Sequence, residues 1–441
     1  MENHLEDPKA VFLLAYCFMR TEGRGVAYQL FQRAGQIFPN EAGIWHNIGT
    51  LFHEWNDNDK AEEFFRKALK CKANYADSLE GMSMTSLNRG DNGACIDFAN
   101  RALAESPDSH VAKVNRGMAY LSLKRWIEGW RDYNANIGKD KNRREIIYGD
   151  EVRWDGSKGK DVVCYGEQGI GDELSFASCL PDLIRDSKSV TIECDARLKK
   201  LYQRSFPTCE VHGTRYEKRN VDWRGKKKFD ARVAIGELPS FYRLKDSDFK
   251  GDQYLVPNPQ MAMQWKTLLQ SLGDKPKIGI TWSGGLPHTG QKRRSVSLDT
   301  YGPLFKSFDA HWISLQYKEV EVEKAEEKYG IKIHDWEWGN RVADYDQTVA
   351  LISELDLVIS VCTTVVHAAG GLGKECWCLV PSVPMWRYLH EGEWFPWSKS
   401  VSLHRQKGRE WPTGILLGKL RDKFGDDYLR HQHPASEAAA A

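Results

Sequence analysis

At 441 residues the chain exceeds what one compact core sustains, and two or three domains are expected. A formal net charge of +1 excludes a globally basic or acidic binding protein, so any nucleic-acid contact must come from a local patch. The ten cysteines are scattered without a C-x-x-C pair, no basic segment leads into an apolar run at the N-terminus, and nowhere do 18 apolar residues follow one another. These features predict a cytoplasmic protein with reduced thiols and no membrane span. Cys376 and Cys378 form a C-x-C inside an apolar run with no second ligand pair nearby, which reads as buried thiols rather than zinc ligands.

Residues 8–140 repeat with a 34-residue period. Phe38-Pro39-Asn40 returns as Lys72-Ala73-Asn74 and as Ser106-Pro107-Asp108; Ala34, Ala68 and Ala102 hold the same register, as do Gly49, Ser83 and Gly117. Within a unit, Trp45, Ile48 and Phe52 lie on one helix, and Ala61, Phe65 and Ala68 on the next. The pattern resembles the tetratricopeptide repeat (TPR), in which small residues let paired helices approach and a proline ends the second. Such a stack commonly holds a partner chain on one face; bracing or dimerising the protein is the equal alternative.

From about Arg153 the period stops and short apolar runs alternate with helical stretches. Strands are expected at 161–165, 189–194, 209–212 and 229–234, with a helix from Leu174 to Leu180, which argues for an α/β layer with a mostly parallel sheet. The turn Gly166-Glu167-Gln168-Gly169-Ile170-Gly171-Asp172-Glu173 follows the first strand, at the edge where open α/β sheets bind ligands. It lacks the dinucleotide fingerprint, and its acidic end suits a hydroxyl substrate better than a pyrophosphate. Asp172 is either a helix cap or a carboxylate placed to take a proton.

After a proline-bearing linker at 256–276 the alternation restarts. The run Lys277-Ile278-Gly279-Ile280-Thr281-Trp282-Ser283-Gly284-Gly285 reads as a strand and then a tight turn, and the next strand occupies 311–316. The cluster Lys292, Arg293 and Arg294 is a solvated face or, behind the Ser-Gly-Gly turn, a neutraliser of a diphosphate. A helix opening at Asp344 leads to Leu357-Val358-Ile359-Ser360-Val361, a buried parallel strand feeding Cys362-Thr363-Thr364 and a small-residue helix through His367 to Lys374. The open N–H groups of such a helix start favour an anion. Equally, Thr363 is a simple N-cap and His367 a packed core histidine. The tryptophans near the end (Trp386, Trp394, Trp397, Trp411) pack in a core or stack on a sugar or base.

Together these motifs resemble the GT-B nucleotide-sugar glycosyltransferases, and more closely the TPR proteins whose C-terminal part is related to ADP-heptose:lipopolysaccharide heptosyltransferases. The resemblance rests on 166–173 with Phe176 and Leu180-Pro181, on 279–284 with Arg294-Ser295, on Ser314-Leu315-Gln316, on Asp344 with Thr348, and on 357–374. It implies an α-helical TPR solenoid (1–140) followed by an α/β GT-B fold of two Rossmann-like lobes, an acceptor-side lobe (141–256) and a nucleotide-sugar lobe (257–415). A helix at 416–434 is expected to return to the first lobe, and 435–441 reads as a tail.

The resemblance also implies roles. Asp172 would be the catalytic base, with Glu167, Gln168, Gly169 and Gly171 forming the acceptor-side loop. Ser283, Gly284, Lys292, Arg293, Arg294, Gln316, Thr363, Thr364 and His367 would bind the donor. The donor would be a nucleotide-diphosphate sugar, and the acceptor a protein, a glycan or a modified nucleic-acid base, recruited by the TPR face. No metal or other cofactor is expected. Cys362 stands where this family usually has Asp, so one donor contact is missing. A scaffold with a silent GT-B domain is the alternative function.

Overall fold

The computed structural model describes residues 8–21, 23–140, 143–217, 221, 223–285, 291–318, 322–341 and 344–430, with backbone alone at 8–10 and 292. The chain forms two compact units, one of Met1–Asp140 with Met385–His390, the other of Lys141–Pro384 with Glu391–Ala441.

The first unit is helical: α1 (Pro8–Arg20), α2 (Arg24–Ile37), α3 (Ala42–Glu54), α4 (Asn58–Cys71), α5 (Ala76–Asn88), α6 (Asn92–Glu105), α7 (His110–Ser122) and α8 (Trp126–Tyr133). Odd-numbered and even-numbered helices each start at the 34-residue interval read from the sequence. Asp57, Asp91 and Ser109 cap α4, α6 and α7 by accepting from Lys60 N, Ala94 N and Ala112 N. Small residues let the helices close up. A Cβ on Gly49 or on Gly81 would lie 2.6 Å from the Phe65 ring, so one buried phenyl group fills the space that two glycines vacate. Ala34, Ala68 and Ala102 are fully buried.

The segment Met385–His390 belongs to this unit, a connection that sequence spacing could not show. Trp386 packs edge-on against Trp130 (centroids 5.5 Å) and Tyr133 (5.1 Å), and His390 N donates to Ser122 O at 3.0 Å. Trp386 is therefore a core residue.

The second unit contains β1 (Val152–Arg153), β2 (Asp161–Tyr165), α9 (Ile170–Phe176), α10 (Leu180–Asp186), β3 (Ser189–Glu193), α11 (Lys199–Ser205), β4 (Glu210–His212), β5 (Ala231–Ala234) and α12 (Pro239–Tyr242). It continues through α13 (Pro259–Ser271), β6 (Lys277–Thr281), α14 (Gly302–Ser307), β7 (His311–Ser314), α15 (Glu323–Tyr329), β8 (Ile333–His334), α16 (Glu337–Asn340) and α17 (Tyr345–Glu354). It ends with β9 (Leu357–Val361), α18 (Thr364–Gly371), β10 (Cys376–Val380), β11 (Val401–Arg405) and α19 (Thr413–Phe424).

The strands form two sheets, ordered β1-β5-β2-β3-β4 and β11-β10-β9-β6-β7-β8, and every pairing between them is parallel. Every residue of β9 and β10 is buried, which is why both read as unbroken apolar runs. Cys376 and Cys378 lie in β10 as buried thiols.

Three expectations need correction. The helix starts at Ile170, four residues earlier than expected, because Gly169 in an extended conformation serves as its N-cap. The linker at 256–276 holds a 13-residue helix, α13, begun by an Asn258 cap and Pro259. The C-terminal helix does not return to the first lobe: α19 starts at Thr413 and buries Leu416 and Leu420, one turn apart, in the core of the second sheet with Phe308 and Trp377. Residues 435–441 lie outside the described residues.

Candidate functional site

Parallel pairing of β9, β6 and β7 sets the segments that follow them side by side at the carboxyl edge of the second sheet. After β9, Thr363 turns extended (φ −131°, ψ 177°) and its Oγ1 accepts from Val365 N at 3.3 Å, capping α18. A buried line of hydroxyl groups holds it: Thr281 Oγ1 lies 2.7 Å from Ser360 Oγ, which lies 3.2 Å from Thr363 Oγ1. After β6, a side chain on Gly284 would run into the Thr363 methyl group, and one on Gly285 into the Arg294 guanidinium. Gly285 also has φ +83°, where glycine is favoured.

Around this turn, Gly284 N donates to Ser295 Oγ (3.3 Å) and Gln291 Nε2 to Ser283 Oγ (3.3 Å). After β7, Gln316 Oε1 accepts from Trp282 N (3.1 Å) and Ser283 N (3.2 Å), and Tyr317 Oη donates to Gly285 O at 3.0 Å. Ser283, Gly284, Arg294, Gln316 and Thr363 thus share one edge. Arg293 is exposed, and the Lys292 side chain lies outside the described residues.

At the carboxyl edge of the first sheet, Asp172 Oδ2 accepts from Gly169 N at 3.1 Å, so the carboxylate does cap α9. The same turn faces α18. A Cβ built on Gly171 would lie 3.1 Å from Thr364 Oγ1 and 3.7 Å from His367 Cδ2. The carboxylate expected to act as base and the helix start expected to bind phosphate therefore come from neighbouring turns. His367 is buried and packs near Phe395, with ring centroids 5.9 Å apart.

The rest of the expected acceptor loop is anchored inward. Glu167 is buried, ion-paired with Arg143 at 3.0 Å, and accepts from Gly236 N at 3.3 Å and from Gln168 Nε2 at 2.9 Å. Its carboxylate braces the loop from behind and does not line its outer face. Glu173, fully buried, pairs with Arg215 and accepts from Asp195 N at 3.1 Å. Burial holds the Arg215 guanidinium below its usual range, and the nearby Tyr216 and the Glu167 and Asp172 carboxylates oppose that. Glu193 receives Tyr148 Oη at 2.5 Å, Thr214 Oγ1 at 2.6 Å and Arg224. Sequence spacing did not expose these Glu–Arg pairs: Glu167 and Glu193 lie at or just beyond the ends of β2 and β3, whereas Glu173 lies within α9.

The two sheets are also joined away from this turn. Arg204 on α11 grips the fully buried Asp346 on α17 in a fork (2.6 and 3.2 Å), and Lys200 pairs with Asp344 at 2.6 Å. Asp344 also caps α17 by accepting from Asp346 N at 3.0 Å, and Thr348 Oγ1 donates to Gly339 O at 2.8 Å. Cys362 is turned into the sheet, 2 % exposed, with its Sγ 3.9 Å from Cys378 Sγ. Among the described residues no helix is long and apolar enough to cross a membrane.

A tetratricopeptide-repeat family model matches residues 42–75, which is α3 with α4 and the turn beyond. The chain is similar to Protein FlbA of Caulobacter vibrioides (strain ATCC 19089 / CIP 103742 / CB 15), 28 % identical over 431 residues that cover 92 % of this chain and 72 % of that protein. Among solved structures, MamA shares 14 % identity over 30 % of this chain and 76 % of its own, with a TM-score of 0.27. YrrB, described as a TPR protein with an unusual peptide-binding site, shares 16 % over 32 % of this chain and 72 % of its own, with a TM-score of 0.28. The N-terminal part of the chain is a helical tetratricopeptide-repeat solenoid, and parallel-sheet α/β structure follows it.

Proposed function

We propose that the α/β unit is a metal-independent GT-B glycosyltransferase that moves a sugar from a nucleotide-diphosphate donor to an acceptor hydroxyl, and that the TPR repeats recruit a protein partner or the acceptor. The observation that supports this reading is the approach of the Gly171-Asp172 turn to Thr364 and His367, beside the Ser283-Gly284 turn and Arg294. Thr363, Thr364, the first N–H groups of α18 and the Arg294 guanidinium would hold the diphosphate and stabilise the charge that develops on it. Asp172 would serve the acceptor. As the acceptor oxygen bonds to the anomeric carbon, its proton passes to the carboxylate. The bond from that carbon to the phosphate oxygen breaks, and its electron pair leaves with the nucleoside diphosphate.

A second reading, a TPR scaffold with a silent GT-B domain, is favoured by one observation: Cys362, which stands where the resembling family has Asp, has its side chain buried against β10. Incubation with a panel of UDP-, GDP-, ADP- and dTDP-sugars, with and without candidate acceptors, separates the two. Transfer or donor hydrolysis supports the enzyme, and binding without turnover supports the scaffold. In an active protein, Asp172→Asn should keep donor affinity and lower turnover at least a hundredfold. Full turnover in that variant would remove Asp172 as the base.

A further inference from the structure

Met385–His390 belongs to the helical unit, although β10 before it and β11 after it belong to the α/β unit. Four consecutive residues, Trp386, Arg387, Tyr388 and Leu389, are 1–5 % exposed, whereas Ser382 and Met385 ahead of them and His390–Trp394 behind them are exposed. A short covered stretch between bare flanks is how a linear peptide sits in a receptor. The stretch enters by its side chains. Trp386 meets Trp130 and Tyr133, and Trp126 stacks behind Trp130 with centroids 6.2 Å apart. Arg387 Nη2 donates to Tyr133 Oη at 3.3 Å, its guanidinium lies 4.4 Å over the Trp386 ring, and Asn92 Nδ2 lies 3.3 Å from His390 Nδ1. Tryptophan, arginine and tyrosine are the residue types that anchor protein interfaces. Leu389 is held at φ +57°, a left-handed conformation that strains a leucine, so its surroundings and not its own preference keep it there. The surface that receives the segment is also one that needs a cover: α7 and α8 are the last helix pair, and among the described residues no further pair packs on them.

We infer that the end of the solenoid is a binding site for a short protein segment bearing tryptophan, arginine and tyrosine in succession, and that residues 386–389 occupy it in cis. Tethering holds the chain's own segment at an effective concentration of about millimolar, so it excludes free segments of similar affinity. A partner enters by presenting the same anchors more tightly or by being held nearby. Such a site works whether or not the α/β unit transfers a sugar.

The test is the full chain carrying Trp386→Ala with Arg387→Ala, titrated by fluorescence anisotropy with a labelled synthetic peptide of residues 382–392. With the anchors in cis removed, the variant should bind the peptide roughly tenfold or more tightly than wild type does. A peptide with alanine in place of the tryptophan should lose that gain. Equal binding by variant and wild type, or no binding by the folded variant, overturns the site. Should the variant fail to fold, hydrogen exchange of the wild-type chain decides. The amides of residues 386–390 should exchange faster than those of β10 and α7, and millimolar peptide should speed them further while α7 and α8 stay protected. Exchange of 386–390 no faster than that of α7, or indifferent to the peptide, overturns the site, because a segment that never leaves cannot yield its place. Either overturning result leaves recruitment by other faces of the repeats standing.

Discussion

Gly171 and Thr364 approach so closely that a Cβ on the glycine would lie 3.1 Å from the threonine hydroxyl oxygen. Each residue belongs to the first turn of a helix that follows a central strand, one in each sheet. The contact therefore measures how far two sheet edges close on each other. Added volume should hold them apart. Gly171→Ala needs a shift of a few tenths of an ångström and should cost little, whereas Gly171→Val should destabilise by about 1–3 kcal/mol through overpacking. The paired variant Gly171→Val with Thr364→Ala should recover part of that loss. Denaturant unfolding of the three variants checks this, and equal stability of Gly171→Val and wild type would show that the contact does not constrain the fold.

Arg204 and Asp346 tie the two sheets by different chemistry. Asp346 is fully buried and its carboxylate is held by a guanidinium fork, with Arg204 Nε also donating to Val256 O at 2.8 Å. Arg204→Ala leaves that carboxylate buried without its partner and should cost about 3–5 kcal/mol, whereas replacing both members by Met and Leu should recover most of it. The unfolding transition of the α/β unit is the readout. A double variant as unstable as the single one would mean that packing, not charge, is what the pair supplies.

How much of this was legible in the sequence depends on how local the cause is. The helical repeat could be read because each unit packs only on its neighbours, so its local devices recur at a fixed interval, as when Asp57 and Asp91 cap α4 and α6. The strands could be read because parallel strands buried on both faces leave apolar runs, as in Leu357–Val361. The grouping of Ser283, Gly284, Gln316 and Thr363 follows from strand order, which the strand-helix alternation suggested. Contacts between distant segments left no periodic trace. Trp386 reached a helical core more than 250 residues earlier in the chain, and Glu167, read as part of an acceptor-side loop, found Arg143 behind it. The last helix was misplaced because Leu416 and Leu420 report only that a stripe is buried, not against which sheet.

Acid should weaken this fold through His404. The ring lies in β11, 4 % exposed, with Ser402 Oγ 2.8 Å from Nε2 and Trp377 edge-on at 6.0 Å. Burial first, then the charge of Lys419, pushes its pKa down to about 4. A base whose folded pKa is depressed leaves the native state holding fewer protons than the unfolded one, which titrates near 6.5. Stability is therefore complete above about pH 6.5 and falls as the pH drops toward 4, below which both states are protonated. Between pH 7 and pH 5 this one group should remove about 2 kcal/mol. His311 and His334, whose pKa values are also lowered by burial, act in the same direction. Replacing His404 by Gln should flatten the pH dependence of the denaturant midpoint over that interval while lowering its neutral-pH value only modestly. Identical slopes in variant and wild type would show that His404 takes up its proton without leaving the folded state.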